Sequence, residues 1–184
     1  MTAASAPWLV AIDLQPIFGD PASAWAAPRY ERAAASVARL APAFGDRVVF
    51  TRYVAPQNPS GAWVEYFAAW PFALLPAGHP WYALDARFGT PSRVETRETF
   101  GKWDAGLAAA TEGAAALVLA GVSTDCCVLS TALAAADAGV RVRIAADACA
   151  APSDADQERA LETMRMYAPL IEITTVDEVL AELD

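Results

Sequence analysis

Lysine is nearly missing from this 184-residue chain: twelve of its 13 basic residues are arginine, and the single lysine is Lys102. Histidine occurs once and cysteine three times. Three cysteines carry no disulfide framework and fit a reducing cytoplasm. Basic charge is short overall, with 13 basic against 22 acidic residues, a net charge of −9 and a pI of about 4.5. Nucleic acid and anionic membranes are therefore not expected as partners, because both require a basic face. No apolar run approaches the ~18 residues of a membrane-spanning helix. The longest, Ala114–Val122, is interrupted by Gly121. The opening residues, MTAASAPWLVAIDLQ, lack a basic stretch and reach Asp13 early, so no signal peptide is expected.

Apolar residues are plentiful, at 55% with a mean hydropathy of +0.26, which excludes intrinsic disorder. The length suits one domain over residues 1–184. Strand and helix patterns alternate along it. Trp8–Ile12 is a continuous apolar run of the kind buried in a parallel sheet. Tyr30–Phe44 has apolar residues at helical spacing and stops at Gly45. Further strands are expected at Arg47–Val54, Arg93–Arg97, Ala114–Leu119, Val140–Ala145 and Leu170–Thr175. Helices are expected from about Lys102 to Thr111 and over Thr124–Ala138, Asp154–Tyr167 and Val176–Leu183. This alternation predicts an α/β fold with a mostly parallel sheet and helices on both faces. Residues 55–91 break the rhythm with repeated Pro and Gly and hold Trp63, Trp70 and Trp81. They read as a loop-rich insertion that forms a lid or pocket wall.

Sites in such sheets lie at the carboxyl ends of strands. The first strand ends in Asp13, which is either a functional carboxylate or a turn cap. The fourth runs into Gly121-Val122-Ser123-Thr124-Asp125-Cys126-Cys127-Val128. With Thr124 or Asp125 as N-cap, Cys127 falls in the first turn of a helix. There the dipole and free N–H groups would lower a thiol toward neutrality and could hold an oxyanion. The alternative is a small buried apolar side chain, which is how Cys126 and Cys149 read. Arg97 and Lys102 supply cations near the end of the third strand. Carboxylate, cation and thiol thus converge from three strand ends, the logic of an activated nucleophile.

The stretch GVSTDCCVLSTALAAADAGVRVRIAADACAAPS, residues 121–153, together with AIDLQ around Asp13, resembles the isochorismatase-like cysteine hydrolases. That family includes nicotinamidases and N-carbamoylsarcosine amidase. The resemblance implies a three-layer α/β/α sandwich around a six-stranded parallel sheet, a homo-oligomer and a small-molecule substrate. Cys127 stands at the nucleophile position and Asp13 at the catalytic acid/base. Backbone N–H groups near Ser123 and Cys127 would form the oxyanion site, behind a cis peptide preceding Ser123. The implied reaction is hydrolysis of an amide, ureide or lactam through an acyl-enzyme.

Two departures from the family pattern stand out. Nicotinamidases carry an Asp-x-His and a later His for a divalent metal. Here that stretch is Thr51-Arg52-Tyr53-Val54 and the only histidine is His79, so no metal and no cofactor are expected. The family's lysine falls on Arg97 if Trp103 is the aromatic that follows it, leaving Lys102 displaced by five residues. Lys102 is favoured as the active-site cation, with Arg97 as the alternative. Phe18, Trp63, Trp70 and Trp103 are expected to wall the substrate pocket, the alternative being core or interface. Other readings are an inactive family member serving as a binding or assembly subunit, and a thiol redox protein using Cys126 and Cys127.

Overall fold

The computed structural model describes residues 6–183, so residues 1–5, on which part of the signal-peptide reading falls, lie outside the described residues. The chain runs β1 (Trp8–Ile12), α1 (Pro16–Gly19), α2 (Tyr30–Phe44), β2 (Val48–Tyr53), α3 (Ala62–Ala69) and β3 (Val94–Arg97). It continues through α4 (Ala105–Ala110), β4 (Ala116–Val122), α5 (Leu129–Asp137), β5 (Arg141–Ala150), α6 (Asp154–Arg165), β6 (Ile171–Thr174) and α7 (Val176–Leu183). The six strands form one sheet in the order β3-β2-β1-β4-β5-β6, every neighbouring pair parallel.

The central strands β1 and β4 are apolar throughout because both faces of the sheet are covered there, whereas the edge strands β3 and β6 carry charged residues. Alternate residues of β1 divide between two cores. Leu9 and Ala11 face the layer of α2 and α7, with Ala34, Val37, Val176 and Val179. Trp8, Val10 and Ile12 face the opposite layer, with Leu107 of α4, Ala132 and Ala135 of α5, and Leu161 and Met164 of α6. This is the three-layer α/β/α arrangement. No helix among the described residues is long and apolar enough to cross a membrane.

Strand order reverses between β1 and β4, which makes their carboxyl ends a switch-point crevice. The two strands approach closely there. A Cβ on Gly121 would stand 2.1 Å from the carbonyl oxygen of Ile12, and Gly121 has φ of 120°. Only glycine fits that position.

Several boundaries differ from the sequence expectation for local reasons. The helix expected from Lys102 starts at Ala105, because Asp104 accepts the Leu107 N–H at 2.9 Å and caps it. The fifth strand extends to Ala150, pairing again with β4 after a register shift near Gly121. The insertion is less irregular than expected. It contains α3 and three single 3₁₀ turns, Pro71–Ala73, Pro80–Tyr82 and Ala86–Phe88. Pro opens two of them, where its missing N–H has no cost. His79 Nδ1 and Asp85 Oδ1 accept backbone N–H groups in the second and third.

Candidate active site

Asp13 follows β1 with φ of 50°, a left-handed conformation uncommon outside glycine. Thr51 of β2 holds it there. The Asp13 N–H donates to Thr51 Oγ1 at 3.2 Å, and that hydroxyl donates back to Asp13 Oδ1 at 2.7 Å. The second carboxylate oxygen, Oδ2, lies 2.9 Å from Lys102 Nζ, and both side chains are fully buried. The contact is an ion pair without hydrogen-bond alignment, so Oδ2 keeps an open acceptor position.

Lys102 is held by its own loop. Its Nζ donates to the Thr99 carbonyl at 2.6 Å and lies 5.6 Å from the centre of the Tyr53 ring. Its backbone N–H donates to Thr131 Oγ1 at 2.9 Å, and Thr131 in turn donates to the Cys127 carbonyl at 2.6 Å. One threonine of α5 therefore ties the lysine loop to the cysteine turn. Arg97, the alternative cation, points elsewhere. It bridges Glu95 at 2.8 Å and Asp104 at 2.7 Å.

Cys127 lies not in an α-turn but in a wider π-turn, Thr124–Val128, between β4 and α5. Ser123 is the cap residue, in place of Thr124 or Asp125, and its carbonyl accepts the Val128 N–H at 3.0 Å. The Val122–Ser123 peptide is cis. The sequence expectation of a lowered thiol is corrected here. Burial holds the Cys127 thiol well above its ordinary range, and this outweighs the opposing charge of Lys102. Asp13 raises it further, as a neighbouring anion and as an acceptor for its proton, while the Ser123 backbone N–H lowers it. Below the alkaline range the resting pair is a neutral thiol beside Asp13. Burial also pushes Cys126 and Cys149 up to about 12.

A cavity of about 350 Å³ opens above this cluster. Phe18, Trp25, Tyr53, Tyr66, Trp70 and Phe100 form its walls. Ser123, Cys126 and Cys127 border it too, so both adjacent thiols face the same space. Trp25 is the centre of the aromatic cluster, nearly parallel to Phe18 at 6.0 Å and edge-on to Tyr53 at 5.9 Å. Of the four expected wall residues, Phe18 and Trp70 line the cavity. Trp63 does not. It stacks on Phe67 at 6.0 Å and supports Tyr66 and Phe100 from behind. Trp103 is not among the lining residues either; it packs against the core cluster of Trp8, Leu107 and Cys127. A more open depression of about 580 Å³ lies at the other end of the sheet, around Ala116, Arg141 and Pro169. It contains no nucleophile.

Among the described residues, no group of three or more His, Cys, Asp or Glu side chains is placed to hold a metal ion. Tyr53 occupies the end of β2, and His79 is committed to its own 3₁₀ turn. The donor set therefore does not fit the divalent metal of the nicotinamidases.

Residues 7–178 match the family model described as the isochorismatase domain. The chain belongs to the isochorismatase family. A cysteine hydrolase from Pseudomonas syringae pv. phaseolicola 1448A shares the fold with a TM-score of 0.85 at 17% identity, covering 96% of this chain and 92% of that one. N-carbamoylsarcosine amidase from Thermoplasma acidophilum does so with a TM-score of 0.73 at 17% identity, covering 93% and 96%. A curated relative, isochorismatase domain-containing protein 2 of Xenopus laevis, is 40% identical over 67 residues. That match takes in 36% of this chain and spans about a third, 32%, of the frog protein.

Sequence reasoning missed Thr51, Thr131, Trp25, Tyr53, Tyr66 and Phe100. Thr51 had a signal, a lone hydroxyl inside the apolar run of β2. Trp25 had none, since it lies in a turn between α1 and α2 with no periodicity to read.

Proposed function

We propose that this isochorismatase-family chain is a cysteine hydrolase that cleaves a C–N bond of a small amide, ureide or lactam. The observation that carries the reading is the buried Asp13–Lys102 pair, 2.9 Å apart, next to the Cys127 thiol at the floor of an aromatic cavity. A buried ion pair without function is weak as a source of stability. Beside a nucleophile it sets up proton transfer.

In the proposed reaction Asp13 takes the Cys127 proton as sulfur attacks the substrate carbonyl. Proton transfer coupled to attack suits a thiol that burial keeps neutral, since no free thiolate need form. Lys102 holds its positive charge against the carboxylate and the sulfur throughout. Backbone N–H groups around Ser123 and Cys127 receive the developing oxyanion. Asp13 then returns the proton to the departing nitrogen, which leaves as ammonia or an amine, or in a lactam stays tethered as the ring opens, and gives a Cys127 thioester. Water, deprotonated by Asp13, cleaves the thioester to a carboxylic acid and restores the thiol. No metal enters any step.

Product release over a panel of small amides, ureides and lactams tests this, read as ammonia or amine from the first two and as ring-opened amino acid by mass from the lactams, with Cys127→Ala as control. Release by the parent protein and none by the variant supports the reading. Equal release by both contradicts it.

A further inference from the structure

Among the described residues, the walls of the catalytic cavity carry six aromatic rings and no charged side chain. Lys102 and Arg97, the two candidate cations of the site, are already committed. Lys102 is wholly buried between Asp13 and the Thr99 carbonyl, and Arg97 is engaged by Glu95 and Asp104. Asp125, the acid next to the cavity thiols, is held by the Ser123 hydroxyl and the Cys126 thiol. A substrate carboxylate or ammonium entering this space would lose its water and find no counter-charge, which is costly. Flat rings, by contrast, gain from stacked and edge-on contacts with Trp25, Phe18 and Tyr53.

One wall residue carries an unused polar group. The Tyr53 hydroxyl is buried and has no hydrogen-bond partner among the described residues. Tyr53 lines the same cavity as Cys127, and its ring centre lies 5.6 Å from Lys102 Nζ. Burial keeps the phenol protonated, and so a donor. Buried polar groups left unpaired call for a missing partner.

We infer that the cavity selects uncharged amides with a flat, apolar acyl group, and that the Tyr53 hydroxyl hydrogen-bonds the amide head in the bound complex. The inference rests on the amide-cleaving reading of the same site. It excludes acidic and basic amides of equal size.

The test is binding to the Cys127→Ala protein, followed by quenching of its tryptophan fluorescence. Trp25 and Trp70 lie in the wall and report occupancy. The probes are benzamide, 4-carboxybenzamide and 4-(aminomethyl)benzamide. Benzamide is expected to quench saturably, with both charged probes binding at least about tenfold more weakly. Adding Tyr53→Phe, which removes one oxygen, is expected to weaken benzamide about tenfold. Equal or tighter binding of either charged probe, or no saturable quench by benzamide, overturns the selection. Unchanged benzamide affinity in the Tyr53→Phe protein overturns the hydrogen bond. The two readings fail separately. If benzamide binds selectively but the parent protein releases no ammonia from any amide, the cavity inference stands and the hydrolytic reading falls. If only charged amides are hydrolysed, the reverse holds.

Discussion

Lys102 Nζ stands 2.9 Å from Asp13 Oδ2 with neither side chain exposed to solvent. Removing either partner leaves the other charge buried and uncompensated, which costs about 3–5 kcal/mol. Lys102→Met should therefore lower stability by that amount and abolish turnover. Asp13→Asn combined with Lys102→Met should regain most of the stability but none of the activity. Arg97→Ala should keep turnover within about twofold, because Arg97 is occupied with Glu95 and Asp104. Urea titration of each variant beside ammonia release separates the two effects.

The Cys127 thiol should rest protonated and react only through the small fraction that ionises at a given pH. Its rate with N-ethylmaleimide should rise about tenfold per pH unit between pH 7 and 9, without a plateau. A plateau near neutrality would mean a lowered thiol. The sign of the linked stability follows from the raised folded values of Cys126, Cys127 and Cys149. Each favours the protonated thiol in the folded chain. That contribution is complete below the unfolded value of about 8.5 and is lost as pH climbs through the folded values. Cys149→Ser, tested by urea titration at pH 8 and pH 10.5, should lose less stability at the higher pH.

Thr51→Val should lower kcat about tenfold or more with little change in KM, because Asp13 loses the hydrogen bond that fixes Oδ1. Thr51→Ser keeps the hydroxyl and should restore most of the rate. A Ser variant as slow as the Val variant would show that packing, not the hydroxyl, matters there.

Gly121→Ala should destabilise the chain by about 3 kcal/mol, since its Cβ would meet the Ile12 carbonyl at 2.1 Å and its φ of 120° disfavours a side chain. Thermal unfolding measures this directly.

The centre of the sheet is legible because both of its faces are covered, so β1 and β4 read as unbroken apolar runs. Asp13 is legible because it puts a carboxylate directly after such a run, and Cys127 because it lies in the turn that follows β4, within the stretch that resembles the family pattern. The different surroundings of Lys102, beside Asp13, and of Arg97, between Glu95 and Asp104, emerge only in three dimensions. Asp104 captures Arg97 and caps α4, and Thr131 pins the lysine loop to the cysteine turn. The thiol's state is likewise a property of burial, which composition does not reveal. The cavity walls are the least legible part. Trp63 and Trp103 carry the same residue type as Trp25 and Trp70, and only the path of the chain decides which of them meets the substrate.

Cys127 is the residue proposed to carry the acyl group. Intact-mass and peptide mapping of the protein quenched in acid during turnover of a p-nitrophenyl benzoate ester reads this directly. The expected result is one benzoyl adduct per chain, on Cys127, absent from the Cys127→Ala and Asp13→Asn proteins. An adduct on Cys126 or Cys149, or turnover by Cys127→Ala at the parent rate, would contradict it.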